Sequence, residues 1–287
     1  MIRDVDGLTS ATLKHLRERW WDESFTEFVK DTLQPRSGRR ILDVGCGIGT
    51  AEVKLSRLRL TQVELVAVDL LPDRVKTARA AASAHNISAH FAAADACRLP
   101  FPDATFDSVF CVAVLQHISD VKGAVQEMAR VTRPGGRVVA VEPDNSARYF
   151  YSSVEDGRRA HEAASRFFSA LAEARGDATE PAVGPQLPTL FSQNGIEPLS
   201  VHVFPVSGAR LGVPGDDLWQ NRRANVTEQI EKAPHEAIRR LGQDYLKVLD
   251  RYAAAAGSAG AGFVEIQNAL LFATVGQREA TLGQREA

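Results

Sequence analysis

Residues 41–55 read ILDVGCGIGTAEVKL, an apolar run followed by three glycines on alternate positions and then a stretch with helical spacing. A strand that turns sharply into a helix needs glycine where the backbone takes positive φ or passes close to a ligand. The helix behind it offers unpaired N–H groups. Several nucleotide-binding folds share that much. The dinucleotide signature G-x-G-x-x-G requires glycine at position 50, where Thr50 stands, and no G-K-[ST] follows to make a P-loop. The glycines alone leave the ligand open, so the acids around them have to decide it.

Asp43 stands two residues before the first glycine, where a carboxylate repels a pyrophosphate and attracts an ammonium group. Asp69 closes the next apolar run, VELVAVD at 63–69, a place from which a carboxylate can accept both hydroxyls of a ribose. Asp95 follows a third run in FAAADACRLPF. There its carboxylate can accept from an adenine amino group while the N–H of Ala96 donates to the ring. Taken singly, each acid also suits a turn or a helix cap. In chain order the three match ammonium, ribose and adenine.

Outward from this loop, residues 40–142 alternate short apolar runs with amphipathic stretches, the pattern of an α/β doubly wound parallel sheet. The spacing predicts strands at 40–44, 63–69, 88–93, 106–113 and 136–142. It predicts helices at 50–60, 72–84 (opened by Pro72) and 119–132 (ended by Pro134, Gly135 and Gly136). Beyond Glu142 it predicts a helix at 153–175, a Gly- and Pro-containing linker at 176–188, a helix at 186–195 closed by Gly195, and a strand at 197–206. A largely helical 207–261 and a last strand at 262–275 follow. Residues 1–33 read as one amphipathic helix carrying Leu13, Leu16, Trp20, Phe25, Phe28 and Val29. The expected plan is a helical cap at 1–33, a ligand-binding core at 34–142, an insertion at 143–183, a core helix and strand at 184–206, a helical lid at 207–261, the last core strand at 262–275 and a flexible tail at 276–287.

Through LDVGCGIGT, AVDLLPDRVKTAR, AADACRLPFPDATFDSVFCVAVLQHISD and EMARVTRPGGRVVAVEP, residues 40–142 resemble the class I S-adenosylmethionine-dependent methyltransferases. The resemblance is to the small-molecule group, methyltransferase type 11, that includes the ubiquinone and menaquinone C-methyltransferases; the remainder matches only in outline. It implies a Rossmann-like seven-stranded, mostly parallel sheet whose last strand runs antiparallel, with helical lid segments. It implies that S-adenosyl-L-methionine is the cofactor and S-adenosyl-L-homocysteine the product. Asp43 and the loop of Gly45, Cys46, Gly47 and Gly49 would hold the methionine end, Asp69 the ribose, and Asp95 with Ala96 the adenine. Leu70 and Val112 complete the expected cofactor-binding set.

Methyl transfer from a sulfonium is an in-line displacement, so the protein chiefly aligns the acceptor and excludes water. A general base is needed only where the acceptor atom must lose a proton. After the fourth strand the chain reads Val114, Leu115, Gln116, His117. It lacks the Asn/Asp-Pro-Pro-aromatic segment that marks nucleic-acid amino-group methyltransferases, and the paired-glutamate loop of protein arginine methyltransferases is not visible. His117 is the candidate for substrate contact or base, with a helix cap as its other reading. Trp20, Trp21, Gln116, Glu142, Asn145, Tyr149 and Trp219 are candidates for lining the acceptor site, and ordinary packing competes for each of the aromatic ones. No metal is expected, because the acids are committed to the cofactor and no ligand cluster remains.

Of the 287 residues 44% are hydrophobic and 24% charged, with a formal net charge of -2, so no overall field attracts nucleic acid or anionic lipid. The arginine pairs at 158/159, 222/223 and 239/240 read as solvated helix faces. No apolar run approaches the roughly 20 residues of a membrane span, and the first residues lack the apolar core of a secretion signal. Cys46, Cys97 and Cys111 fit neither a disulfide framework nor metal-ligand spacing and read as reduced. The expectation is a cytoplasmic monomer or homodimer, with a small-molecule substrate of secondary metabolism and neither nucleic acid nor membrane as partner. A non-catalytic S-adenosylmethionine-binding scaffold is the alternative. A nicotinamide-dependent oxidoreductase fits less well because the glycine spacing is wrong.

Overall fold

The computed structural model describes residues 20–56, 63–174 and 182–279, which fall into two compact units. The described parts of 20–146, 182–204 and 270–279 form the first unit, and 147–174 with 205–269 form the second. The seven strands are β1 (Arg40–Val44), β2 (Glu64–Asp69), β3 (Ala89–Ala93), β4 (Phe106–Val112), β5 (Thr132–Ser152), β6 (Ile196–Leu211) and β7 (Val264–Arg278), in the order β3-β2-β1-β4-β5-β7-β6. The boundary between the units is crossed by the last three strands.

Strands β1, β2, β3, β4 and β5 pair in parallel. The central ones are apolar on both faces, as strands covered on both sides must be: Leu42, Val44, Ala67, Val68, Val109 and Phe110 are all buried. The seventh strand runs antiparallel. Glu279 N donates to Gly195 O and Gly212 N to Phe263 O, so along β6 and β7 one residue number rises as the other falls. Helices α1 (Glu23–Leu33), α2 (Thr50–Ser56), α3 (Pro72–Ala84), α4 (Val121–Val131) and α6 (Val183–Ser192) belong to the first unit. Ala124, Val125 and Met128 of α4 and Leu187 and Phe191 of α6 join the main core, while Val75, Ala78 and Ala82 of α3 cover Ala67 and Phe91.

Several boundaries differ from the sequence reading. The helix expected over 1–33 starts afresh at Glu23, because the Asp22 side chain caps it by accepting from Phe25 N at 2.8 Å. Leu13 and Leu16 lie outside the described residues, as do 57–60 of the helix expected at 50–60 and residues 280–287 of the tail expected at 276–287, whose Gly276, Gln277 and Arg278 instead end β7. Pro134, Gly135 and Gly136 do not terminate α4; they form a bulge inside β5. Between the pairings Phe106↔Thr132 and Ser108↔Arg137, β4 advances by two residues and β5 by five. Strand β5 also runs ten residues past Glu142, so Tyr149, Phe150 and Tyr151 are part of it rather than of a following loop. Half of the supposed linker belongs to α6: a Cβ on Gly184 would stand 2.6 Å from the backbone oxygen of Glu142, so glycine marks a tight contact there.

The second unit contains helices α5 (Glu155–Ala174), α7 (Asp216–Glu231) and α8 (Glu236–Ala259), so the helical stretch expected at 207–261 is two helices broken before Pro234. They bury Phe167, Phe168, Leu171, Val226, Leu249 and Tyr252 together. Arg222 corrects the reading of the arginine pairs as solvated. Its guanidinium donates to both oxygens of Glu265, a fully buried carboxylate that also takes Tyr252 Oη at 2.7 Å and an ion pair from Arg210. Arg158, Arg159, Arg239 and Arg240 do make exposed helix pairs. Burial alone would raise the Glu265 carboxyl, but the Arg222 hydrogen bonds and charge outweigh it and hold it below the usual carboxylate range.

Removing one partner of a buried pair strands the other, at about 3–5 kcal/mol. Glu265→Ala is expected to lower thermal stability by that order, with Glu265→Gln falling between it and the parent in a calorimetric scan. Because the folded carboxyl sits low, its contribution is complete above the ordinary glutamate range and fades as pH falls through the folded value. The Glu265→Gln difference from the parent therefore shrinks in acid.

Candidate functional site

The site is built on the carboxyl ends of β1, β2 and β3, which the parallel register brings level: Val44 lies opposite Val68, and Asp69 opposite Ala93. Past β1 the chain turns through Gly45, Gly47 and Gly49 at φ of 81°, 58° and 85°, all in the left-handed region. Gly45 N and Cys46 N both donate to Val68 O, at 2.7 and 2.9 Å, and Gly47 N donates to the Asp69 carboxylate at 2.9 Å. The glycines are not equivalent. A Cβ at Gly45 would meet the Val114 side chain at 2.4 Å and one at Gly49 would meet Ala78 at 3.1 Å, whereas nothing lies within 4 Å at Gly47. The outer two serve close packing, and the middle one faces open space beside the acids, a cradle that a ligand can enter.

Asp69 is buried, and besides Gly47 N it accepts from Leu71 N at 2.9 Å and has the Arg74 guanidinium 4.0 Å away. Its backbone oxygen accepts from Ala94 N at 3.0 Å, which ties the end of β3 to the end of β2. Leu70, next in the chain, is 64% exposed, an apolar face at the same edge. Asp95 is exposed, with one carboxylate oxygen accepting from Cys97 N at 2.9 Å, and Ala96 is half-buried. The structure thus brings Asp43, the glycine loop, Asp69, Leu70, Asp95 and Ala96 to one edge.

Asp43 and Glu52, which lies in the first turn of α2, are both buried. Burial, followed by the charge of Glu52, raises the Asp43 carboxyl well above its ordinary value, and burial raises Glu52 too. The pair therefore holds one proton far more readily than two separate carboxyls would. Burial, then the charges of Asp43, Glu52 and Asp69, push the Cys46 thiol up as well, so it is a neutral part of the loop rather than a nucleophile.

Past β4, Ala113 takes a φ of 56° and the chain enters a short 3-10 turn, Leu115–His117. The fully buried Glu142 of β5 accepts from Val114 N and Leu115 N at 2.8 Å each and from Gln116 N at 3.3 Å. Glu142 therefore caps this turn instead of reaching for an acceptor, which corrects its assignment to the acceptor site. Trp21 is corrected likewise: it is buried with its ring edge-on to Phe25 at 5.0 Å. Trp20 is half-buried. Gln116 is buried and its side-chain oxygen accepts from Asn145 Nδ2 at 2.9 Å. Val112 is half-buried at the end of β4, and His117 is exposed. His117 does not cap α4, since the Asp120 side chain does so by accepting from Gly123 N. Tyr149 and Trp219 belong to the second unit, where Trp219 packs edge-on to Tyr252 and under Arg222.

Residues 42–140 match the family model described as a methyltransferase domain. The ubiquinone biosynthesis O-methyltransferase of Paracidovorax citrulli is 31% identical over 166 residues, 53% of this chain and 68% of that one. The chain belongs to the S-adenosylmethionine-dependent methyltransferases. A demethylmenaquinone methyltransferase of Deinococcus radiodurans is 42% identical over 106 residues, 37% of this chain and 44% of that protein. Overall the chain spans about half the length of the curated relatives it matches. The methyltransferase fold is also seen in a solved structure from Bacillus halodurans C-125, with a TM-score of 0.56 and 16% identity, covering 90% of this chain and 100% of that one.

Sequence reasoning missed Glu52, which reads as an ordinary first-turn acid on a helix N-terminus. The only signal was its distance from Asp43, nine residues around a tight turn.

Three expectations test this geometry. Gly45→Ala combines a left-handed alanine with a collision against Val114, about 2–4 kcal/mol in all. Adding Val114→Ala recovers part of the loss, which thermal denaturation of the single and double variants measures. Glu142→Ala strands three N–H groups, those of Leu115 and Gln116 buried, at on the order of 3–5 kcal/mol. The exposed His117→Ala is expected to melt within about 0.5 kcal/mol of the parent.

Proposed function

We propose that this chain binds S-adenosyl-L-methionine at the carboxyl edge of β1, β2 and β3 and transfers its methyl group to a small, partly apolar acceptor. The observation that carries the reading is the meeting at one edge of an open glycine cradle with three acids from successive strand ends. The residues fit the group: an amine suits the buried acids beside the loop and a diol suits Asp69. The amino edge of a purine suits Asp95, and its face suits the exposed Leu70. When bound, the cofactor supplies a sulfonium methyl group open to in-line displacement.

The protein's own part is to orient and to shield. Asp69 does two tasks at once, because the carboxylate that would take the ribose also fixes Gly47 N and so sets the loop. The rigid turn capped by Glu142 presents His117, which would contact the acceptor or take its proton. Relatives named for demethylmenaquinone and for ubiquinone biosynthesis favour a quinone-related or similarly apolar acceptor.

Calorimetry with S-adenosyl-L-homocysteine is the direct test. Asp69→Ala is expected to weaken binding by about 1–3 kcal/mol, the scale of lost charge-assisted hydrogen bonds, and unchanged affinity would refute the ribose assignment. His117→Ala is expected to lower turnover, followed as S-adenosyl-L-homocysteine formed with an acceptor panel, while leaving cofactor affinity intact. Loss of affinity instead would make His117 structural.

A further inference from the structure

The loop leaves one charge problem unsolved. Glu52 is 1% exposed, and neither of its carboxyl oxygens has a hydrogen-bond partner among the described residues. What it faces is Asp43, 2% exposed and acceptor-only when ionised. Two buried carboxylates facing one another have no donor between them, so either a proton or a cation has to stand there. The other charged groups around the pair do not supply the cation. Asp69 adds a negative charge, and the Cys46 thiol is neutral. Lys54, on the same helix as Glu52, donates to Trp21 O, and Arg74 of α3 pairs with Asp69. No cluster of three metal-ligating side chains occurs among the described residues, so the pair is not part of a metal site of that kind.

Resting on the cofactor reading above, we propose that Glu52 completes the seat for the α-ammonium group of the cofactor's amino-acid end, and that Asp43 and Glu52 share one proton in the free protein which leaves as the ammonium arrives. The exchange balances: the pair gives its proton to solvent, and the incoming ammonium brings the compensating positive charge with three N–H donors. A low-dielectric setting favours a group that brings donors as well as charge, since both oxygens of the buried Glu52 carboxyl are otherwise without a partner among the described residues. Glu52 thereby becomes a specificity-determining residue for the amino-acid part of the ligand, separate from the groups that meet its nucleoside.

The experiment uses the full chain and two ligands, S-adenosyl-L-homocysteine and 5′-methylthioadenosine, which keeps the nucleoside and thioether but lacks the amino-acid end. Titration calorimetry at pH 7 in buffers of different ionisation enthalpy counts protons. The parent is expected to release close to one proton with S-adenosyl-L-homocysteine and none with methylthioadenosine. Glu52→Gln is expected to weaken S-adenosyl-L-homocysteine by about 10–100-fold, the scale of a lost charge-assisted contact. It should leave methylthioadenosine within about two-fold of the parent, in the range expected where no contact is lost. Retained methylthioadenosine binding is the variant's own check on folding, and if the variant does not fold, the parent's proton count decides alone. Equal weakening of both ligands, or no proton release by the parent, overturns the proposal while leaving the cofactor reading standing. Failure of both ligands to bind the parent overturns the cofactor reading and this inference with it.

Discussion

The carboxyl edge of this sheet is held together by buried carboxylates that accept from backbone N–H groups. A loop leaving a strand end exposes N–H groups that no ladder satisfies, and each must find an acceptor if water is excluded. Asp69 provides one for the loop after β1 and Glu142 provides three for the turn after β4. In each case the acid sits on the neighbouring strand, so the two loops that frame the site are positioned by the sheet itself and not by their own sequence. The stiffness of the edge follows from that arrangement, because a carboxylate accepting two or three N–H bonds cannot move without breaking all of them.

How far the chain could be read in advance depends on where its constraints lie. Strands β1, β2 and β4 are short and covered, so an apolar run has the same ends as the strand, and these three and the short edge strand β3 were each legible to within a residue or so. Strand β5 was not, because Glu142, Asp144, Asn145 and Ser146 look like a turn. Glu142 is polar for internal reasons and Asp144 is satisfied by Ser146 two residues on, while the backbone stays extended. The start of α6 was hidden by Gly184 and two prolines, residues that signal a linker locally, whereas Gly184 here marks a close approach to Glu142. Arg222 looked solvated since its partner, Glu265, lies 43 residues further along. Local patterns carry information about local constraints, and each of these errors came from a constraint set by a distant part of the chain.

The same logic applied to the site itself. The acids at strand ends were visible as Asp43, Asp69 and Asp95, because a carboxylate directly after an apolar run is conspicuous. Their division of labour was not. Asp69 is partly spent on the protein, Asp95 is open to solvent with one oxygen on Cys97 N, and Asp43 is buried against a partner no motif had suggested. Glu142, which looked like a ligand group, has no exposed atoms to offer one.

A helix N-terminus behind a glycine loop is ordinarily a place for anions, since its free N–H groups and dipole favour negative charge. Here the chain reverses that preference with side chains. Asp43 and Glu52 bury negative charge under the loop, and Asp69 takes Gly47 N, a donor that a phosphate would otherwise use. An entering phosphate would meet three carboxyl groups at short range in a low dielectric, where like charges repel most strongly. An entering ammonium meets the opposite field. The glycines give the backbone its shape and so permit close approach, but the sign of the local field is set by the acids beside them.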